Sequence, residues 1–263
     1  MRKGQSLNIA PITLLIAICY LMSSCQKDVS ADNERQGSVD LQVRFQAMVD
    51  ADPLVLGKMY KNAFGEDYSV KTFKFYIHGI ELSNSQTNNI VQLDKNEHYL
   101  INPADPSTSF ITLHIPPSTY DGIRFFIGVD SVRNVSGAQT GALDPAQGMF
   151  WTWSTGYIMA KLEGNSPVAT TPNNVIEYHI GGFKGTESVI RKINLNFPPS
   201  RQIDPKQGSQ SKITISANIN RWFNQTNAIH ISQKPVSMSP GSLATQIADN
   251  YATMFTVVEI VNE

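Results

Sequence analysis

Seven stretches of this chain alternate apolar and polar residues with a period of two, and that repeat limits the fold more than any other feature of the sequence. Val39, Leu41, Val43, Phe45 and Ala47 alternate with Asp40, Gln42, Arg44 and Gln46, the pattern of a half-buried strand. Phe73, Phe75 and Ile77 alternate with Lys74, Tyr76 and His78; beyond Gly79 the parity flips to Ile80 and Leu82, which predicts a bulge at the glycine. Runs of the same kind follow at Ile111 to Ile115, Ile123 to Val129, Ile176 to Ile180, Ile193 to Phe197 and Ile213 to Ile219. Pro116-Pro117 and Pro198-Pro199 stop two of them, since proline cannot donate to a ladder. Strands of this length separated by Gly, Pro, Asn and Ser predict an all-β fold, an antiparallel β-sandwich. Leu243, Ile247, Tyr251 and Phe255 recur every four residues instead, after Pro240. They predict one short helix near 241–252, followed by a last strand at 254–261.

The N-terminus has a different character. Arg2 and Lys3 precede an almost uncharged apolar run from Ile9 to Met22, too short for a typical membrane span, and then Ser23, Ser24 and Cys25. This order resembles the lipobox of bacterial lipoproteins, which implies a signal peptide at 1–24 and, after cleavage, a Cys25 that carries lipid such as palmitate on its thiol and its new amino group. The polar stretch 25–38 reads as a flexible tether, leaving 39–263 as one domain large enough for a full core. Gln26-Lys27-Asp28 resembles the charged signal that sends some lipoproteins to the outer face of the outer membrane. The expectation is an outer-membrane lipoprotein, facing the periplasm or the surface and held to the lipid membrane through Cys25.

The two cysteines, Cys19 and Cys25, both fall in this leader region, so the domain has neither a disulfide nor a thiolate ligand. A net charge of −1 with 16% charged residues lacks the basic footprint of a nucleic-acid binder. No nucleophile elbow, His-Glu-x-x-His, phosphate loop or dinucleotide fingerprint occurs, so the expectation is a binding protein and not an enzyme.

The segment 141–164 stands apart. It contains Leu143-Asp144-Pro145, Gly148-Met149-Phe150, Trp151-Thr152-Trp153 and Gly156-Tyr157, with Met149, Trp151 and Trp153 at the spacing of one strand face. It resembles the signature of the MbnP-like family of extracytoplasmic copper-binding proteins, Leu-Asp-Pro-x-x-Gly-Met-Tyr/Phe-Trp-x-Trp-x-x-Gly-Tyr. Phe75-Tyr76-Ile77, Gly128-Val129-Asp130, Tyr178-His179-Ile180-Gly181 and the helical segment around Asp249-Asn250-Tyr251 resemble further family motifs, in the same order along 39–261.

The resemblance implies a β-sandwich that binds copper. It implies His179 as a metal ligand and Trp151 or Trp153 as a tryptophan oxidised to kynurenine, with a dihaem oxidase as the modifying partner. Trp153 occupies the place where some relatives carry a second histidine, and the family's cysteine after the His-hydrophobic-Gly motif is missing from 181–188. Read from the residues alone, His78 and His114 lie on the polar parity of their strands, where a surface placement is the plain reading, and either can be a second ligand if its strand neighbours that of His179. His98 belongs to a loop and His230 to a short strand. His179 faces away from the apolar side of its strand. At least one of Trp151 and Trp153 belongs to the core. Asp130 and Asp144 serve turn hydrogen bonds. The alternative function is a metal-free surface lipoprotein that docks a glycan or a protein through Trp151 and Trp153.

Overall fold

The computed structural model describes Met1, 37–153, 156–205 and 210–263. Cys25, the segment expected to be a signal peptide apart from Met1, and nearly all of the expected tether lie outside the described residues. The strands are β1 (Val39–Val49), β2 (Asp52–Pro53), β3 (Met59–Lys61), β4 (Asp67–Asn84), β5 (Asn89–Gln92), β6 (His98–Ile101), β7 (Phe110–Ile115) and β8 (Gly122–Ile127). After the short helix α1 (Ser131–Val135) come β9 (Phe150–Trp151), β10 (Gly156–Tyr157), β11 (Ala160–Asn165), β12 (Val175–Ile180), β13 (Arg191–Asn196) and β14 (Gln210–Asn218). β15 (Val236–Ser237), the helix α2 (Ser242–Tyr251) and β16 (Phe255–Asn262) complete the domain.

Two sheets pack face to face. One has the order β16-β14-β1-β2, with β7 also paired to β1; the other has the order β13-β8-β4-β11-β12-β15, with β3, β5 and β6 paired to β4. The alternating residues named above supply both inner faces. At the centre Phe45 and Phe255 of the first sheet meet Phe75 and Phe125 of the second. Their rings approach edge to face, Phe45 to Phe125 at 5.5 Å and Phe125 to Phe255 at 5.1 Å, the packing that aromatic quadrupoles favour. The expected sandwich is therefore present. Two of its pairings run parallel, β1 with β14 and β12 with β15, while the others are antiparallel.

The bulge lies where the parity change predicts it. The β4–β8 register shifts between His78 and Glu81, and Gly79 has φ +60°, a backbone state that costs a side chain strain. The predicted helix is α2, which buries Ala244, Ile247, Ala248 and Tyr251. β11, with an inner face of Ala160, Leu162 and Gly164, carries too little apolar signal to announce itself, yet it joins β4 to β12. Among the described residues, no helix is long and apolar enough to cross a membrane.

Candidate metal centre

The signature segment forms a lid over the outer face of the larger sheet, and its motif residues build that lid. Asp144 caps a single 3-10 turn by accepting from the Ala146 N–H, Pro145 opens the turn, and Gly148 ends it at φ +70°. Lys74 and Lys161, neighbours on β4 and β11, rise from the sheet and donate to the carbonyls of Gln147 and Gly148 at 2.9 and 2.6 Å. Tyr76 and Tyr157 donate to the carbonyls of Ala142 and Leu143 at 3.1 and 2.8 Å. Met149 is fully buried beneath.

The chain turns immediately after Trp151, so Met149, Trp151 and Trp153 do not share a continuous strand face as their spacing suggests. Trp151 is buried, and its six-membered ring lies where a Cβ on Gly181 would be, which explains the glycine two residues after His179. The Trp151 Nε1–H is buried without a hydrogen-bond partner among the described residues. Trp153 stands out of the lid, 65% exposed, with its ring 5.4 Å from that of Trp151.

His179 does point away from the sandwich core, yet it is buried, with only 8% of it exposed. Its Nε2 lies 2.7 Å from Oε1 of Glu163 on β11, and Lys161 Nζ lies 3.4 Å from the same oxygen. The His179 hydrogen bond, with help from Thr72 and Lys161, outweighs burial and holds the Glu163 carboxyl down at about 2. Glu163 is the group that sequence reasoning misses here; its only signal is the short alternation Lys161-Leu162-Glu163.

His78 is not within reach of this pair. His179 is level with Lys161 and Lys161 with Lys74, so β11 stands between the two strands and His78 is a further four residues along β4. Strand geometry puts the two histidines roughly 16 Å apart, too far for one ion. His114 is no second ligand either, since it is exposed and pairs with Asp40 at 2.7 Å. His230 lies outside any strand and packs its ring on Phe64, the centroids 3.9 Å apart.

His78 instead meets His98, which opens β6 and is not a loop residue. The two are directly opposite on antiparallel strands, with rings stacked at 4.9 Å and 16°. Phe126 covers the other face of His78 at 5.2 Å. Asp130 caps α1 through Oδ1, and its Oδ2 lies 3.1 Å from His98 Nε2. Burial lowers the affinity of both rings for a proton, that of His98 to about 4 with the neighbouring His78 adding to the effect.

The donor set at His179 decides what it can hold. An imidazole nitrogen and a carboxylate oxygen suit copper(II), whereas an unmodified indole offers an N–H and no lone pair. The residues therefore fit a copper ion as a two-donor site, and the ion would have to displace the His179–Glu163 hydrogen bond. Among the described residues no three His, Cys, Asp or Glu side chains form a ready-made cage. The family model for MbnP matches residues 38–239. A solved structure, MbnP from Methylosinus trichosporium, is similar at 15% identity over 73% of this chain and 80% of that one, with a TM-score of 0.48. No curated protein matches the chain significantly.

Proposed function

Because the chain belongs to the MbnP family, we propose that it is an extracytoplasmic copper-binding lipoprotein that takes up the metal at His179 and is held to the outer membrane through Cys25. The observation that carries this reading is a buried imidazole with a carboxylate at its Nε2, two residues before the glycine on which the signature Trp151 packs. His179 and Glu163 are the donors in the unmodified chain. Oxidation of Trp151 to kynurenine by a dihaem oxidase partner would replace a lone-pair-free N–H with an aryl amine and a ketone, both usable by a metal. The role is to hold and hand on copper, with no catalytic step.

Copper uptake by the full-length chain in detergent, measured by competition with a chromophoric chelator, tests the site. His179→Ala is expected to weaken uptake at least tenfold, and a mass spectrum of the peptide carrying Trp151 and Trp153 reports its oxidation. Equal uptake by wild type and variant counts against the site. Cys25→Ser is expected to move the protein to the soluble fraction; retention on washed membranes counts against the anchor.

One observation favours a second reading. The exposed Trp153 offers an aromatic surface of the kind that glycans and protein partners stack on. A glycan or protein whose binding is lost in Trp153→Ala, with no metal found in protein from its native compartment, would favour that reading.

A further inference from the structure

We propose that His78, His98 and Asp130 form a second metal site on this face, for a borderline divalent ion such as zinc(II) or copper(II), independent of His179. The two histidines are directly opposite on β4 and β6, the arrangement in which cross-strand side chains lie closest. His78 donates from Nδ1 to the Gly128 carbonyl at 3.0 Å, which leaves the lone pair on Nε2. A ligating histidine is usually oriented in this way, with its other nitrogen tied to a carbonyl.

His98 supplies the independent observation. Its side chain is only 4% exposed, and among the described residues its Nε2 has no hydrogen-bond partner although Asp130 Oδ2 is 3.1 Å away. A buried nitrogen in this state is costly and unusual. A nitrogen and an oxygen each about 2.0–2.1 Å from a shared ion are about 3.4 Å apart at the tetrahedral angle of zinc(II) and about 2.9 Å apart at the right angle of tetragonal copper(II), so the 3.1 Å spacing falls within the range of two adjacent ligands. The carboxylate of Asp130 is held in place, since Oδ1 accepts from Val132 N–H at 2.9 Å and Arg133 N–H at 3.0 Å, leaving Oδ2 free to point at the ring.

The surroundings agree with this assignment. A cavity of about 280 Å³ borders His98, lined among others by Glu97, Arg133 and Gln139, and has room for water ligands. Arg133 is the unfavourable charge near His98; its guanidinium donates to Gln139 Oε1 at 3.1 Å. One carboxylate and two imidazoles select a borderline ion over calcium or magnesium. The rings are nearly parallel, so they must fan out of their stack before both Nε2 atoms reach one ion.

Zinc(II) titration of the full-length chain in detergent, with a competing chromophoric indicator, tests the proposal. One equivalent is expected to bind at least tenfold more weakly in His98→Gln and in His78→Gln, and to be unchanged in His179→Ala. Asp130→Asn, which keeps the helix cap, is expected to weaken binding as well. Should a histidine variant fail to fold, the histidine ring resonances of the wild type decide: zinc must shift those of His78 and His98. Binding that is equal in wild type, His98→Gln and Asp130→Asn, or lost only in His179→Ala, overturns the proposal; the latter result would leave the copper reading standing.

Discussion

Glu66 shows how much of this molecule can hang on one side chain. It is buried, and it accepts from Asn62 Nδ2 at 2.8 Å, from the N–H groups of Ile231 and Ser232 at 2.8 and 3.0 Å, and from Ser232 Oγ at 2.7 Å. It thereby pins the 62–66 turn to a loop more than 160 positions away. Burial pushes its carboxyl up, but the hydrogen bonds from Asn62, Ser232 and Ile231 together outweigh that and leave it below the ordinary value of 4.5. The folded state therefore holds the proton less tightly than the unfolded chain. This stabilisation is fully present above about pH 4.5 and is lost as pH falls through the folded value. Glu66→Gln is expected to cost about 2 kcal/mol at pH 7 and to flatten the loss of stability on acidification, measured by urea melts at pH 7 and pH 3. At this scale the sequence was only partly legible. His179, Asp130 and Asp144 carry local signals, and the two aspartates do make the turn bonds expected of them. Glu163 and His98 matter because of residues that register brings beside them, and register across a sheet is not written in either short segment.

Among the elements, the strand hardest to foresee is the one the larger sheet cannot do without. β11 is read poorly because its inner positions include Ala160 and Gly164, and Gly164 is small for a reason. The β4–β11 register shifts there, and a Cβ on Gly164 would collide with the Ser69 carbonyl of β4. Gly164→Ala is expected to force the strands apart and cost about 3 kcal/mol, read as a lowered urea midpoint with an unchanged slope. The parity flip at Gly79 and the four-residue spacing of α2 were legible because each is a local pattern several residues long. The five-residue α1 has no such length, and neither have the two-residue β9 and β10.

At the scale of the whole molecule, the sandwich is held by the four phenylalanines that join its sheets. Phe45→Ala removes a ring that touches Phe75, Phe125 and Phe255, and is expected to cost about 3–5 kcal/mol, measured by chemical denaturation. Alternating parity was enough to foresee two apolar faces meeting in this way. It could not say which strands lie side by side, because every strand of matching parity is an equally good neighbour until the connections are known.

The parallel pairing of β1 with β14 also sets an order in time. Asp40 lies against Gln210 and Met48 against Asn218, so the first strand waits for a partner 170 positions downstream. Loop closure over that distance is slow, and contacts of this range put a protein among the late folders. A chain made from its N-terminus therefore cannot close the smaller sheet until its last fifth has emerged. Any product that stops before β14 leaves β1 with an open edge, a template for joining other chains.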